Sequence, residues 1–267
     1  KKILFVTGTR ADFGKLKGLI ESIKGDKNFD YGIFATGMHL LKRYGSTIHE
    51  IRKSGFANIY PFLNQDDVVG AQMDYVLANT VQGLGLYARE FCPDLIVVHG
   101  DRVETLAGAT VGVLNNILVA HVEGGEISGT IDEILRHAIT KLSHLHFVAN
   151  NKARKRLIQL GETPKSVFVT GSPDIDLMLS KQLPTLNKMK NRYRITFPEY
   201  AIFTYHPVTT ELGSIKKKIE TVIDALIASN LNYVVIYPNN DRGSDLIVEE
   251  ILRLKELPRF RLITSMR

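Results

Sequence analysis

Carboxylates crowd one stretch of the chain. In HVEGGEISGTIDE, residues 121–133, Glu123, Glu126, Asp132 and Glu133 fall within eleven residues. Glu123 directly follows the apolar run ILVAHV, precedes two glycines and has no helix end to cap. Asp101, in VVHGDR, ends another apolar run, and Gly100 before it permits a sharp turn. Carboxylates that converge on one crevice suit proton transfer at carbon or at a glycosidic bond. Partial burial in such a crevice is expected to lift the Glu123 pKa toward neutrality. Asp132 and Glu133 also have a plainer reading. Thr130 and Glu133 match a capping box, and Asp132 sits in the first helical turn, where the dipole favours acid by about 0.3–1 kcal/mol. Arg136, four residues after Asp132, is then its helix-surface partner. Read alone, Asp101 caps the helix that follows it, with Arg102 as its partner.

These side chains must be held by strand ends. Apolar runs alternate with helical patterns from the start: KILFVTG, YGIFATG, DLIVVHG, ILVAHVE, LHFVA and SVFVTG read as strands, separated by amphipathic stretches. The strands are apolar on both faces, so they belong to a parallel α/β sheet covered on each side. The segment 180–200 is polar, carries two prolines and lacks an apolar period, which reads as a linker or domain edge. The alternation then resumes with YAIFTY, YVVIYP and RFRLITS. Two domains are expected, over 1–175 and 176–267. Three strands make a small second sheet with an open edge, so further βα units are expected beyond Arg267.

Ligands of open parallel sheets bind outside the carboxyl ends of the strands. Those ends carry GTRADFGK, TGMH with His39, HGDR, HVEGGE, YHPVTTE with His206, and YPNND with Asn239. The first loop is not a Walker loop: five residues separate Gly8 from Gly14, and Lys15 is followed by Leu16. Arg10 and Lys15 near a helix N-terminus are either phosphate-binding groups or ordinary surface charges. His206 is either structural or, with two sheets face to face, a donor beside a phosphate.

The totals limit the alternatives. The 267 residues include one cysteine, Cys92, which excludes an intrachain disulfide and suits a reducing compartment, so the cytoplasm is expected. The opening KKILFVTG is too short for a signal h-region, and no run has the length of a membrane span. A net charge of +6 without a basic stripe argues against nucleic acid and favours a small anionic substrate such as a sugar nucleotide. The histidines show no compact ligand spacing, so no metal is expected.

Together TGTRADFGKLK, TGMH, HGDR, HVEGGEISGTIDE, RHAITKLSH, HPVTTE and YPNND resemble the hydrolysing UDP-N-acetylglucosamine 2-epimerases of sialic-acid synthesis along the whole chain. A sister group acting on UDP-2,4-diacetamido-2,4,6-trideoxyglucose shares these motifs. The resemblance implies two Rossmann-like domains facing across a cleft, the glycosyltransferase-B arrangement, the second incomplete here. It implies Asp101, Glu123 and Asp132 as acid/base residues. Arg10, Gly14, Lys15, His39, Arg102, His206 and Asn239 become substrate-binding positions. It further implies no metal or nicotinamide cofactor, a UDP-sugar substrate, UDP as product, no membrane partner and a homo-oligomer. The family's serine-rich diphosphate loop would lie beyond Arg267, so a chain ending there is expected to bind UDP poorly. A glycosyltransferase of the same fold and a non-enzymatic nucleotide-sugar-binding regulator remain the alternatives.

Overall fold

The computed structural model describes residues 1–66, 72–180, 183–208, 211–239, 241–264 and 266. The chain forms two compact units that divide near residue 180. The first contains β1 (Lys2–Thr7), α1 (Arg10–Ile23), β2 (Asp30–Ala35), α2 (Ile48–Lys53), β3 (Ile59–Pro61), α3 (Met73–Phe91), β4 (Leu95–His99), α4 (Val103–Leu114), β5 (Leu118–Val122), α5 (Ile131–Lys141), β6 (Leu145–Val148), α6 (Asn151–Gln159), β7 (Val167–Val169) and α7 (Pro173–Leu179). The second contains α8 (Leu186–Tyr193), β8 (Ala201–Thr204), α9 (Ile215–Ala228), β9 (Tyr233–Ile236), α10 (Ser244–Leu252) and β10 (Phe260–Ile263).

The first sheet has the order β3-β2-β1-β4-β5-β6-β7 and is parallel throughout. Strand alternation fills both faces. Ile3, Phe5, Ile33, Val97 and Val122 turn to one side, against Phe13, Leu16 and Ile20 of α1 and Ile48 and Ile51 of α2. Leu4, Val6, Phe34, Ile96, Val98 and Val119 turn to the other, against Leu84 of α3, Val111 of α4 and Ile139 of α5. Each such side chain stabilises the unit by roughly 1.5–3 kcal/mol on burial. The chain winds outward one way from β1 and the other way from β4, so the loops after these adjacent strands part and leave a crevice at their carboxyl ends. The second sheet has the order β10-β9-β8, also parallel, over a core that includes Ile219, Ile223, Val235 and Ile251. Among the described residues, no helix is long and apolar enough to cross a membrane.

The α/β class with parallel sheets agrees with the strand pattern. Three elements do not follow from periodicity. β3 is three residues long and ends in Pro61, which suits an edge strand and leaves no alternation to read. α2 is a short helix of six residues. The polar segment assigned to a linker contains α8: the Thr185 hydroxyl accepts from the Lys188 N–H at its start, and Arg194 ends it in a left-handed conformation. None of the α8 side chains is fully buried, and only Tyr193 is packed, in part, against the Ile195–Val234–Ile263 cluster, so the apolar face is too slight to read as a period.

α4 lies flush on the sheet because it is studded with small residues. A Cβ at Gly112 would stand 2.2 Å from Val119 Cγ2, and one at Gly108 2.6 Å from Val98 Cγ1. Gly112→Ala is therefore expected to destabilise the protein by about 1–3 kcal/mol, despite the better helix propensity of alanine. Urea unfolding measures this. Val119→Ala in the same background should recover part of the loss, and an unchanged midpoint for Gly112→Ala alone would show that α4 is free to shift outward.

Candidate active site

Three adjacent strand ends build the site. β1 leads into α1, which carries Lys15; β4 ends in His99 and turns at Gly100 (φ +77°) into Asp101; β5 runs directly into Glu123. Glu123 itself has φ +60°, in the left-handed region. A residue with a Cβ occupies that region at a cost, and such positions concentrate at functional sites. Its backbone is pinned by a hydrogen bond from Glu123 N–H to the Phe147 carbonyl (2.8 Å).

The side chains converge on that carboxylate. Lys15 Nζ and His99 Nε2 each lie 2.7 Å from Glu123 Oε2. Lys15 also reaches Asp174 Oδ2 on α7, at 3.2 Å. On the neighbouring strand end, Asp101 is ion-paired with Arg136 of α5. Arg136 also donates to the Glu126 carbonyl at 3.1 Å, and the Glu126 carboxylate accepts from Asn150 at 2.8 Å. Lys15, His99, Gly100, Asp101, Glu123, Glu126, Arg136 and Ala149 line one cavity of about 350 Å³.

Charge in this cavity is ordered, in a way opposite to the sequence expectation. Burial pushes the Glu123 carboxyl up, but hydrogen bonds from His99, Lys15 and Ser172, together with the His99 charge, outweigh it and hold the group down to about 2. Burial alone was the wrong guide, because the converging donors come from other loops. Lys15 is lowered by burial yet ends up raised, through its contacts with Glu123 and Asp174. At neutral pH Glu123 is thus an ionised carboxylate, beside a lysine held as ammonium.

The residues expected from the sequence fall into groups. Asp101, Glu123 and Lys15 meet in the cavity wall. Asp132 is exposed and outside the wall, although it lies one turn before Arg136, on the same face of α5. Arg136 is not its surface partner in the way the spacing suggested, since its guanidinium reaches Asp101 and Glu126. Nor does Asp101 cap α4. Arg102 occupies the N-cap position with no side-chain cap, and its Nε instead lies 3.3 Å from the buried Glu104. At α5, Thr130 is the N-cap, but its hydroxyl turns to Asp132 (3.3 Å), while Glu133 accepts from Ser128 and Gly129 N–H (2.9 and 2.8 Å). The glycine turn at 129 brings those amides closer to Glu133 than the N-cap amide.

The loop after β1 also differs from its reading. The Asp12 carboxylate accepts from Gly8 N–H (2.9 Å), Thr9 N–H (3.0 Å) and the Thr7 hydroxyl (2.5 Å). The amides that cradle phosphate in a nucleotide loop here hold an anion of the protein's own. His39 belongs to this internal network and not to a ligand surface. It is 0% exposed, with Nε2 2.9 Å from Thr7 Oγ1 and Nδ1 2.7 Å from Thr47 Oγ1. Burial holds it down to about 4, so it stays neutral. Arg10 opens α1, partly exposed, and Gly14 leaves open space where a side chain would stand. In the second unit, His206 and Asn239 are exposed at the ends of adjacent strands β8 and β9, with the Asn239 N–H 3.4 Å from His206 Nδ1. Thr209, Thr210 and Asn240 of the HPVTTE and YPNND motifs lie outside the described residues. His99, Arg136, Glu126 and Asp174 were not singled out as site residues. The strand-end rule could have found His99, which closes β4, and the crowding of carboxylates after β5 could have found Glu126; nothing local marks Arg136 or Asp174.

Comparison with known proteins shows the family and the fold. The family profile described as UDP-N-acetylglucosamine 2-epimerase matches residues 21–267. A UDP-N-acetylglucosamine 2-epimerase of Neisseria meningitidis serogroup B is 45% identical over 253 residues, covering 95% of this chain and 67% of its own length. The hydrolysing UDP-N,N'-diacetylbacillosamine 2-epimerase of Legionella pneumophila is 37% identical over 269 residues, 98% of this chain and 70% of its own. The crystal structure of a Neisseria meningitidis UDP-GlcNAc 2-epimerase bound to UDP-GlcNAc shares the fold, with a TM-score of 0.79 at 20% identity, over 100% of this chain and 73% of that one.

Because the folded-state pKa of Glu123 is depressed, its contribution to stability is complete above its ordinary value of 4.5 and disappears as pH falls toward 2. Glu123→Gln should remove that component. Acid titration of the variant, followed by circular dichroism, should show a shallower loss of stability between pH 4.5 and 2 than the parent chain; parallel curves would contradict the ion cluster.

Proposed function

The chain belongs to the UDP-N-acetylglucosamine 2-epimerase family, and on that premise we propose that it is a hydrolysing epimerase that converts UDP-N-acetylglucosamine to N-acetylmannosamine and UDP, for sialic-acid-type sugar synthesis. The observation that carries this reading is the convergence of Lys15 and His99 on an ionised Glu123, beside the Asp101–Arg136 pair, in one cavity.

The chemistry asks for two proton transfers at one carbon and departure of a diphosphate from the next. Glu123, held as carboxylate, has the charge state of the base that removes the C2 proton. The C2–H electrons form the C1=C2 bond as the C1–O bond breaks toward UDP, which leaves a 2-acetamidoglucal. Water then adds at C1, and an acid returns a proton to the opposite face of C2. Asp101, which lines the cavity, and Asp132, exposed in the first turn of α5 one turn before Arg136, are the groups proposed for the return step and for activating water. Lys15 and Arg136 supply positive charge for the developing diphosphate, with Arg10 at the start of α1 and Arg102 at the start of α4 as further proposed substrate-binding positions. His206 and Asn239, at the ends of β8 and β9, are proposed as nucleotide-binding positions. When the diphosphate draws Lys15 away, Glu123 loses one of its counter-charges and becomes more basic, which couples binding to proton abstraction.

The sugar itself has a second candidate, because the Legionella relative is named for a diacetamido substrate. Rates of UDP release from UDP-N-acetylglucosamine and from the 2,4-diacetamido-6-deoxy analogue rank the two. In heavy water the product should carry deuterium at C2, whereas a glycosyl transfer would leave C2 untouched. Glu123→Gln should lower kcat by about 100-fold or more while the fold is retained. Unlabelled product, or an active Glu123→Gln protein, would overturn the proposal.

A further inference from the structure

A second histidine lies behind the cavity and takes no part in the chemistry above. His121, on β5, is 0% exposed and sits between two of the loops that build the site. Its Nε2 is 2.7 Å from the Gly100 carbonyl oxygen, and its Nδ1 is 3.1 Å from Thr140 Oγ1 on α5. A carbonyl oxygen only accepts, so Nε2 carries the proton, and Nδ1 must accept from the Thr140 hydroxyl. Burial supports the neutral form by holding the ring down to about 3.

The surroundings are shaped to this ring. A Cβ at Gly124 would fall 2.8 Å from His121 Nδ1 and 3.0 Å from Thr140 Oγ1, so the residue after Glu123 must be glycine for the pair to fit. Gly100 has φ +77° and separates His99 from Asp101, both of which line the cavity. Across the trans Gly100–Asp101 peptide, a Gly100 carbonyl turned inward to His121 sends the following N–H, that of Asp101, the opposite way. Without the ring, the glycine turn has no side chain of its own to choose between peptide orientations.

We propose that His121 is a positioning residue: its Nε2–H, oriented by Thr140, locks the Gly100–Asp101 peptide with carbonyl inward and N–H toward the cavity, and so sets where His99 and Asp101 stand relative to Glu123. The kinetic part of this proposal rests on the epimerase reading; the hydrogen-bond part does not.

Nitrogen-15 NMR of the histidine rings tests the second part directly. His121 should appear as the neutral Nε2–H tautomer throughout pH 5–8, and Thr140→Val, which removes the donor to Nδ1, should broaden or shift it. A wild-type ring protonated on Nδ1, or doubly protonated, overturns the proposal. In kinetics, His121→Ala should lower kcat by about 100-fold, the cost of a misplacement of order 1 Å, while KM for the UDP-sugar moves little. His121→Gln, whose amide N–H can still reach the Gly100 carbonyl, should regain a large part of kcat. Unchanged kcat in folded His121→Ala, or a loss confined to KM, overturns it. If circular dichroism shows His121→Ala unfolded, His121→Gln and Thr140→Val carry the test. If the wild-type chain releases no UDP from either sugar, the proposed function fails on its own. The Asp101 amide resonance, recorded with and without UDP, then replaces kcat: it should respond in the wild type and lose that response in Thr140→Val, and an equal response in both overturns the positioning role.

Discussion

A carboxylate withdrawn from water needs partners, and Glu123 obtains an ammonium from one segment of the chain and a histidine ring from another. Lys15 and His99 both touch Oε2 at 2.7 Å. This arrangement holds Glu123 ionised against its burial, and it commits Lys15 at the same time. A diphosphate entering the cavity must compete with Glu123 and Asp174 for the lysine. Electrostatics of this kind is pre-organised: the charges a reaction would use are already in place, neutralised by one another until a ligand intervenes.

Keeping those partners in register is a demand on the backbone. Glu123 adopts φ +60° immediately after a strand, and Gly100 turns at φ +77° after the neighbouring one. Two adjacent strands therefore end in abrupt turns at the same level of the sheet, β5 paired with β4 up to His99–Val122. Strain at a turn persists only where the surroundings over-determine it. Here the Glu123 N–H is bound to Phe147, the Gly100 N–H to Val122 and the Gly100 carbonyl to His121. Residues with no access to the cavity thus decide the geometry within it.

The same separation of roles appears at the first loop. Asp12 binds the amides of Gly8 and Thr9, and the buried His39 joins it through Thr7. The anion required by that helix start is built in, so Lys15, one turn further along α1, is the residue of the loop that meets the cavity. Two motifs that look like ligand loops in the sequence, GTRADFGK and TGMH, hold each other in the structure.

Much was legible in the chain itself. Runs apolar on both faces identified strands of a covered parallel sheet, because burial on two sides leaves no polar alternation. Polar residues at strand ends marked Asp101 and Glu123, because open parallel sheets leave that edge uncovered. What only the tertiary structure decided was partnership. Lys15 and Glu123 are 108 residues apart and His99 and Glu123 24 apart, brought together by the strand order around β1, β4 and β5. That order also withdrew His39 into the interior, turned Arg136 from Asp132 to Asp101, and drove the Glu123 pKa down where burial alone predicts a rise. Local pattern reports which surfaces are buried, through neighbours a few residues away. Charge state depends on atoms a few ångströms away in space, and the chain alone does not say which residues those are.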